Sequence, residues 1–175
     1  TGDAAMAFVT TNSASAAAML TWIFFDRLNG RKVSALGACI GAVVGLVAIT
    51  PAAGFVSVPE SIFFGFITAL VSNKFVHWNR LSKMDDTLDV FACHGVGGIV
   101  GMILTAIFAE GENASLLHGG WSVFGHHMTA LVLVAFFAFF GSILLYKVAN
   151  WFIPLRVSEN SERVGLDLTQ HNEKL

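Results

Sequence analysis

The chain has 175 residues, 55% of them hydrophobic and 13% charged, with mean hydropathy +0.69 and a formal net charge of -2. A soluble domain carries about 25% charged residues, so this is the composition of a polytopic membrane protein, and the slightly negative balance argues against a nucleic-acid partner. Cys39 and Cys93 both lie inside apolar segments, without zinc or redox spacing, and read as small packing residues. No cofactor, metal site or enzymatic constellation is indicated.

Five apolar spans can be read, each near the ~20 residues a bilayer-crossing helix needs. The first covers about 4–25, and its Thr10, Thr11, Asn12, Ser13 and Ser15 are small polar residues that either pack helix on helix or line a polar path. The second covers 33–49. Gly37, Gly41 and Gly45 recur every four residues on one face, a stripe that admits a neighbouring helix, and Pro51 ends the helix just after Thr50. The third covers 59–76. Pro59 suits a first turn, Glu60 suits the positive end of the helix dipole as a structural residue, and His77 and Trp78 read as interfacial anchors. The fourth covers 88–109, with Gly97 and Gly101 again set for close packing. The fifth covers 126–152 and carries Phe136, Phe137, Phe139 and Phe140 on almost every face, so it is buried all round or faces lipid. From Arg156 the tail is polar. The start at Thr1-Gly2-Asp3, without Met or a signal peptide, reads as a fragment whose upstream part is missing.

Charge gives an orientation. Arg27, Arg31 and Lys32 lie between the first and second spans, and Lys74, Arg80 and Lys83 at the end of the third or between it and the fourth. Lys147, Arg156, Arg163 and Lys174 lie at or beyond the end of the fifth, while 52–58 and 110–125 contain no Lys or Arg. An odd number of spans puts all the basic segments on one side, which is expected to be cytoplasmic, with the N-terminus outside and the tail inside. The outer loop holds the sequon Asn113-Ala114-Ser115 and His118, with His126 and His127 following; adjacent histidines point to different helix faces and make a poor metal pair.

The chain is organised around 85–101. Three acids, Asp85, Asp86 and Asp89, lead into an apolar run through Phe108 whose single ionisable side chain is His94. A histidine within a membrane helix is a functional candidate by default, and a core histidine bonded to a neighbouring helix is the alternative. Val90 and His94, four apart, share a helix face, whereas Asp89 and His94, five apart, do not. Asp89 is expected to cap the helix start through its carboxylate, with Asp85 and Asp86 as solvated loop acids.

The pattern Asp85-Asp86, Asp89-Val90-Phe91, His94-Gly95-Val96 and Gly98 resembles the tenth-helix signature of the ammonium transporter family (Amt/Mep, with the Rh proteins as distant relatives). The stretches 7–11 and 45–56 are similar to that family's seventh and eighth helices, and Arg156-Val157, Gly165-Leu166-Asp167 and His171 resemble its cytoplasmic C-terminus. The resemblance implies an all-α polytopic membrane bundle: helices seven to eleven over 1–153 of an eleven-helix, inverted-repeat, homotrimeric transporter, then a cytoplasmic tail over 154–175. It implies that His94 is one of two histidines meeting in an apolar pore for ammonium or ammonia, the second supplied by the missing upstream half. Val90 would be a pore wall, Asp89 would support the pore architecture, and Thr50 would lie on the substrate path. Gly165, Asp167, Thr169 and His171 would belong to a regulatory tail, with a PII-type regulator as possible cytoplasmic partner and a cell (inner) membrane as location. Ser158, Asn160 and Ser161 interrupt the more acidic run common in the family, and Asn172 stands where a glycine is common. An ammonium sensor, with the same fold driving a signalling partner or fused domain, is the alternative function.

Overall fold

The computed structural model describes residues 2–79, 86–110 and 115–173. Of the residues singled out in the sequence, Thr1, Arg80, Lys83, Asp85, Asn113, Ala114 and Lys174 lie outside these. Every regular element among the described residues is helical. The order is α1 (Gly2–Leu28), α2 (Ala35–Ile49), α3 (Val58–Asn79), a π turn (Phe91–Val96) running into α4 (Gly97–Phe108), a 3-10 turn (Leu116–His118), α5 (Trp121–Phe152), α6 (Glu159–Val164) and a second π turn (Asp167–His171). The chain forms two compact units, residues 1–131 and 132–175.

In the first unit α1 is the central element. It buries Thr10, Ala14, Ala18, Trp22 and Asp26, one residue every four, so a single narrow stripe meets the neighbouring helices. The glycine stripe of α2 lies on it: a Cβ at Gly41 would stand 2.7 Å from the Trp22 Cβ, and one at Gly45 would overlap the Ala14 carbonyl. Gly65 of α3 meets the same carbonyl, and Gly101 of α4 meets the backbone of Ala48. Close approach is what these glycines supply, and it lets a helix bond across the seam, with the Ser15 hydroxyl donating to the Ala42 carbonyl at 3.1 Å. Gly97, by contrast, has only ordinary contacts, with Val47 Cγ1 at 3.5 Å from a built Cβ.

Helix starts follow local chemistry. Ser34 caps α2 by accepting the Gly37 N–H at 3.0 Å. At α3, Glu60 reaches back to accept the Ser57 N–H at 2.7 Å, the reciprocal half of a capping box, so Glu60 is structural as expected. α1, the run Phe91–Phe108 and α5 are each long and apolar enough to cross a membrane. α2 is shorter, at 15 residues, and the buried face of α3 is rich in polar residues, Ser61, Thr68, Ser72, Asn73 and Asn79.

The part of α5 that belongs to the second unit, from Val132 on, carries no buried residue; Phe136, Phe137, Phe139 and Phe140 are 59–79% exposed. Such a surface fits lipid or another protein helix rather than water.

A candidate substrate path beside His94

The helix that carries His94 is set up by two acids with separate tasks. The Asp86 carboxylate accepts the N–H groups of Val90 and Phe91, both at 2.9 Å. Asp86 is therefore a capping acid, which corrects the expectation that it is simply solvated. Asp89 takes a left-handed backbone, φ 53°, a conformation that Asp tolerates better than most residues, and its side chain is buried. Its N–H donates to the Asp86 carbonyl and its own carbonyl accepts from Cys93, so it turns the chain into the helix.

The next residues, Phe91–Val96, form a π turn rather than the α-helix that a four-residue spacing assumes. π turns widen the helix locally and are frequent at functional sites. His94 sits inside it, exposed, with Cys93 buried behind.

A groove of about 280 Å³ runs past the imidazole, lined by Leu88, Val90, Cys93 and His94 on one side and by Cys39, Ile40 and Val43 of α2 on the other. Val90 and His94 are thus brought together. The α2 wall was not singled out in the sequence. Leu36, Cys39, Val43 and Leu46 of that helix and Thr50 at its C-cap are exposed, at three- and four-residue intervals. This stripe lies opposite the buried Gly41 and Gly45, and its spacing was the available signal. Thr50 is two turns along it from Val43, outside the groove lining, with its hydroxyl donating to the Leu46 carbonyl at 2.7 Å. The lining is aliphatic apart from two thiols and one imidazole.

A second polar group was also missed. Asp26, 7% exposed at the end of α1, accepts from Arg31 Nε at 2.9 Å and from Asn73 Nδ2 at 3.0 Å. Arg31 also donates through Nη2 to the Asn73 side-chain Oδ1 at 2.7 Å, and His77 Nε2 lies 3.4 Å from Asp26. His77 is therefore a partner of a buried carboxylate, not only an interfacial anchor.

In the tail, Gly165 has φ 112°, a backbone that a side chain disfavours. Asp167, Thr169 and His171 share the second π turn, and the Thr169 hydroxyl donates to the Gly165 carbonyl at 2.9 Å. Asn172 has φ 54°, so the departure from glycine keeps a conformation that Asn accepts. Arg156 grips Glu162 with two hydrogen bonds, at 2.8 and 3.1 Å, and its guanidinium holds the Glu162 carboxyl below the usual carboxylate range.

Apolar helices of membrane-crossing length, joined by glycine-mediated seams, define a multi-pass membrane protein. The chain belongs to the ammonium transporter family, whose model matches residues 1–175. It is 39% identical to an ammonium transporter of Bacillus subtilis, over 99% of this chain and 44% of that protein. The crystal structure of Candida albicans Mep2 is similar at TM-score 0.82 and 34% identity, over 91% of this chain and 38% of that one. A structure described as a sensor Amt protein is similar at TM-score 0.78 and 27% identity, over 96% and 42%. The chain spans less than half the length of each of these relatives.

Proposed function

We propose that this chain forms the second half of an ammonium transporter, with His94 beside the path of the transported nitrogen. The observation that carries the reading is the exposed imidazole in an otherwise apolar groove between α2 and the π turn. Ammonium loses a large solvation energy in such surroundings. Moving ammonia through the groove and the proton separately avoids that loss, and an imidazole, which titrates near neutrality and can donate and accept, suits the relay. The second imidazole, and the wall that closes the groove, come from an upstream half. Val90 and Thr50 line the path at different depths, and Asp89 supports the turn that presents His94. The exposed face of α5 supports burial against lipid and against other copies in a trimer. Residues 1–153 form the membrane part and 154–175 a cytoplasmic tail, in which Gly165, Asp167, Thr169 and His171 regulate, with a PII-type protein as a candidate partner at that face. The basic loops support an orientation with Lys32 on the inner side of the cell membrane.

Uptake of labelled methylammonium into proteoliposomes by the complete polypeptide tests the function; no uptake above empty vesicles contradicts it. An impermeant thiol label on intact cells tests orientation. Leu117→Cys, on a residue 62% exposed, is expected to react and Lys32→Cys is not; the reverse result overturns the orientation.

The likeness to a sensor Amt protein supports a second reading, in which ammonium occupancy drives a signalling partner. Uptake separates the two: a sensor binds ammonium without accumulating it.

A further inference from the structure

Two hydroxyls of α3, Thr68 Oγ1 and Ser72 Oγ, are fully buried and have no hydrogen-bond partner among the described residues. Buried polar groups are nearly always satisfied, so the pair needs an explanation. A helical Ser or Thr usually solves the problem by donating to the carbonyl four residues back. Thr10, Thr21, Thr50, Thr105 and Thr129 all do so in this chain, at 2.7–2.9 Å. Thr68 and Ser72 do not. An upstream half of the protein cannot supply the partner either, since both residues are 0% exposed within this chain alone.

The two positions are one helical turn apart on one face, where Cβ atoms stand about 5–6 Å from each other. Their oxygens make no direct bond to each other, and one oxygen lying about 2.8 Å from each would satisfy both. A buried water typically makes about three hydrogen bonds to otherwise unsatisfied groups. The place has a consequence for His94. The Thr68 methyl lies 3.8 Å from where a Cβ of Gly97 would stand, and the Gly97 N–H donates to the His94 carbonyl.

We infer that Thr68 and Ser72 hold a buried water at the back of the π turn, and that the two hydroxyls are positioning residues for the His94 imidazole. The water site stands on burial and bonding alone; the positioning role rests on the transport reading proposed above.

The test compares Thr68→Val, which keeps the shape and removes the hydroxyl, with Thr68→Ser, which keeps the hydroxyl and removes a methyl. The complete polypeptide is purified and its Tm measured. A held water predicts that Thr68→Val lowers Tm by several degrees, that Ser72→Ala does likewise, and that Thr68→Ser stays nearer wild type. A Thr68→Val protein as stable as wild type, or more stable than Thr68→Ser, overturns the site, because only packing then matters. The pH profile of methylammonium uptake reads the positioning role: Thr68→Val is expected to shift it and Thr68→Ser to leave it in place. An unshifted profile in Thr68→Val overturns that role. Absence of uptake by the wild type counts against the transport reading, and the order of Tm values still decides the water site.

Discussion

The Asp86 carboxylate accepts the backbone N–H of Val90 at 2.9 Å, while its other oxygen takes that of Phe91 at the same distance. Two of the free donors at the start of the His94 helix are thereby satisfied. Replacing Asp86 by Ala is expected to cost about 1 kcal/mol, as loss of an N-terminal cap does, and to raise hydrogen exchange first at Val90 and Phe91. Exchange unchanged at these two amides would show that the cap does not hold this helix start.

Gly45 and Gly65 both face the Ala14 carbonyl, where a Cβ would overlap it, whereas the nearest atom to a Cβ at Gly98 is Val47 Cγ1 at 4.0 Å. Gly→Ala in an open helical position gains about 1 kcal/mol, and overpacking a seam costs roughly 1–3 kcal/mol. Gly45→Ala and Gly65→Ala should therefore lower Tm, and Gly98→Ala should hold or raise it. Equal effects at all three positions would remove the argument that the glycines set the helix spacing.

Asp26 depends on Arg31 and Asn73 for its burial. Arg31 is partly exposed, so the pair is less costly to break than a fully buried one. Arg31→Ala should destabilise the protein by about 1–3 kcal/mol, because a buried acceptor loses its charged donor. Asp26→Asn combined with Arg31→Met should recover much of that loss, measured as Tm. A double variant no better than Arg31→Ala would show that the charge itself does not matter.

The tail contact has a definite pH sign. Because Arg156 lowers the Glu162 pKa, the contact's contribution is complete above the ordinary glutamate value of about 4.3 and is lost as pH falls through the lowered one. Both groups are at the surface, so the contribution is small and weakened by salt. Order in α6, followed by hydrogen exchange, should hold from pH 7 to 5. Glu162→Gln should loosen α6 throughout that range; loosening of the wild type between pH 7 and 5 would contradict the assignment.

The helices themselves were readable because hydrophobic runs and glycine intervals are local signals, and α2 ends at Ile49, one residue before the Thr50-Pro51 break. Three features were not. Asp86 lies four residues before Val90, and its role as a cap appears only once the left-handed turn at Asp89 folds the chain back on itself. The π turn leaves no periodic trace over the six residues Phe91–Val96, so an α-helix was the natural expectation. Asp26, Asn73 and His77 are distant in sequence and acquire meaning only when α1 and α3 meet. The α2 wall lies between these cases: an exposed apolar stripe reads as lipid-facing until His94 stands across the groove from it.

The central claim is that His94 relays a proton beside the substrate path, and His94→Asn in the complete polypeptide tests it most directly. Asn keeps a polar side chain but cannot exchange a proton near neutral pH. Methylammonium uptake, ammonium-driven current and the stability of the assembled protein are measured together. A folded assembly with lost proton-coupled current or altered ion selectivity is expected. Full, selective, electrogenic transport by a well-folded His94→Asn protein would contradict the relay.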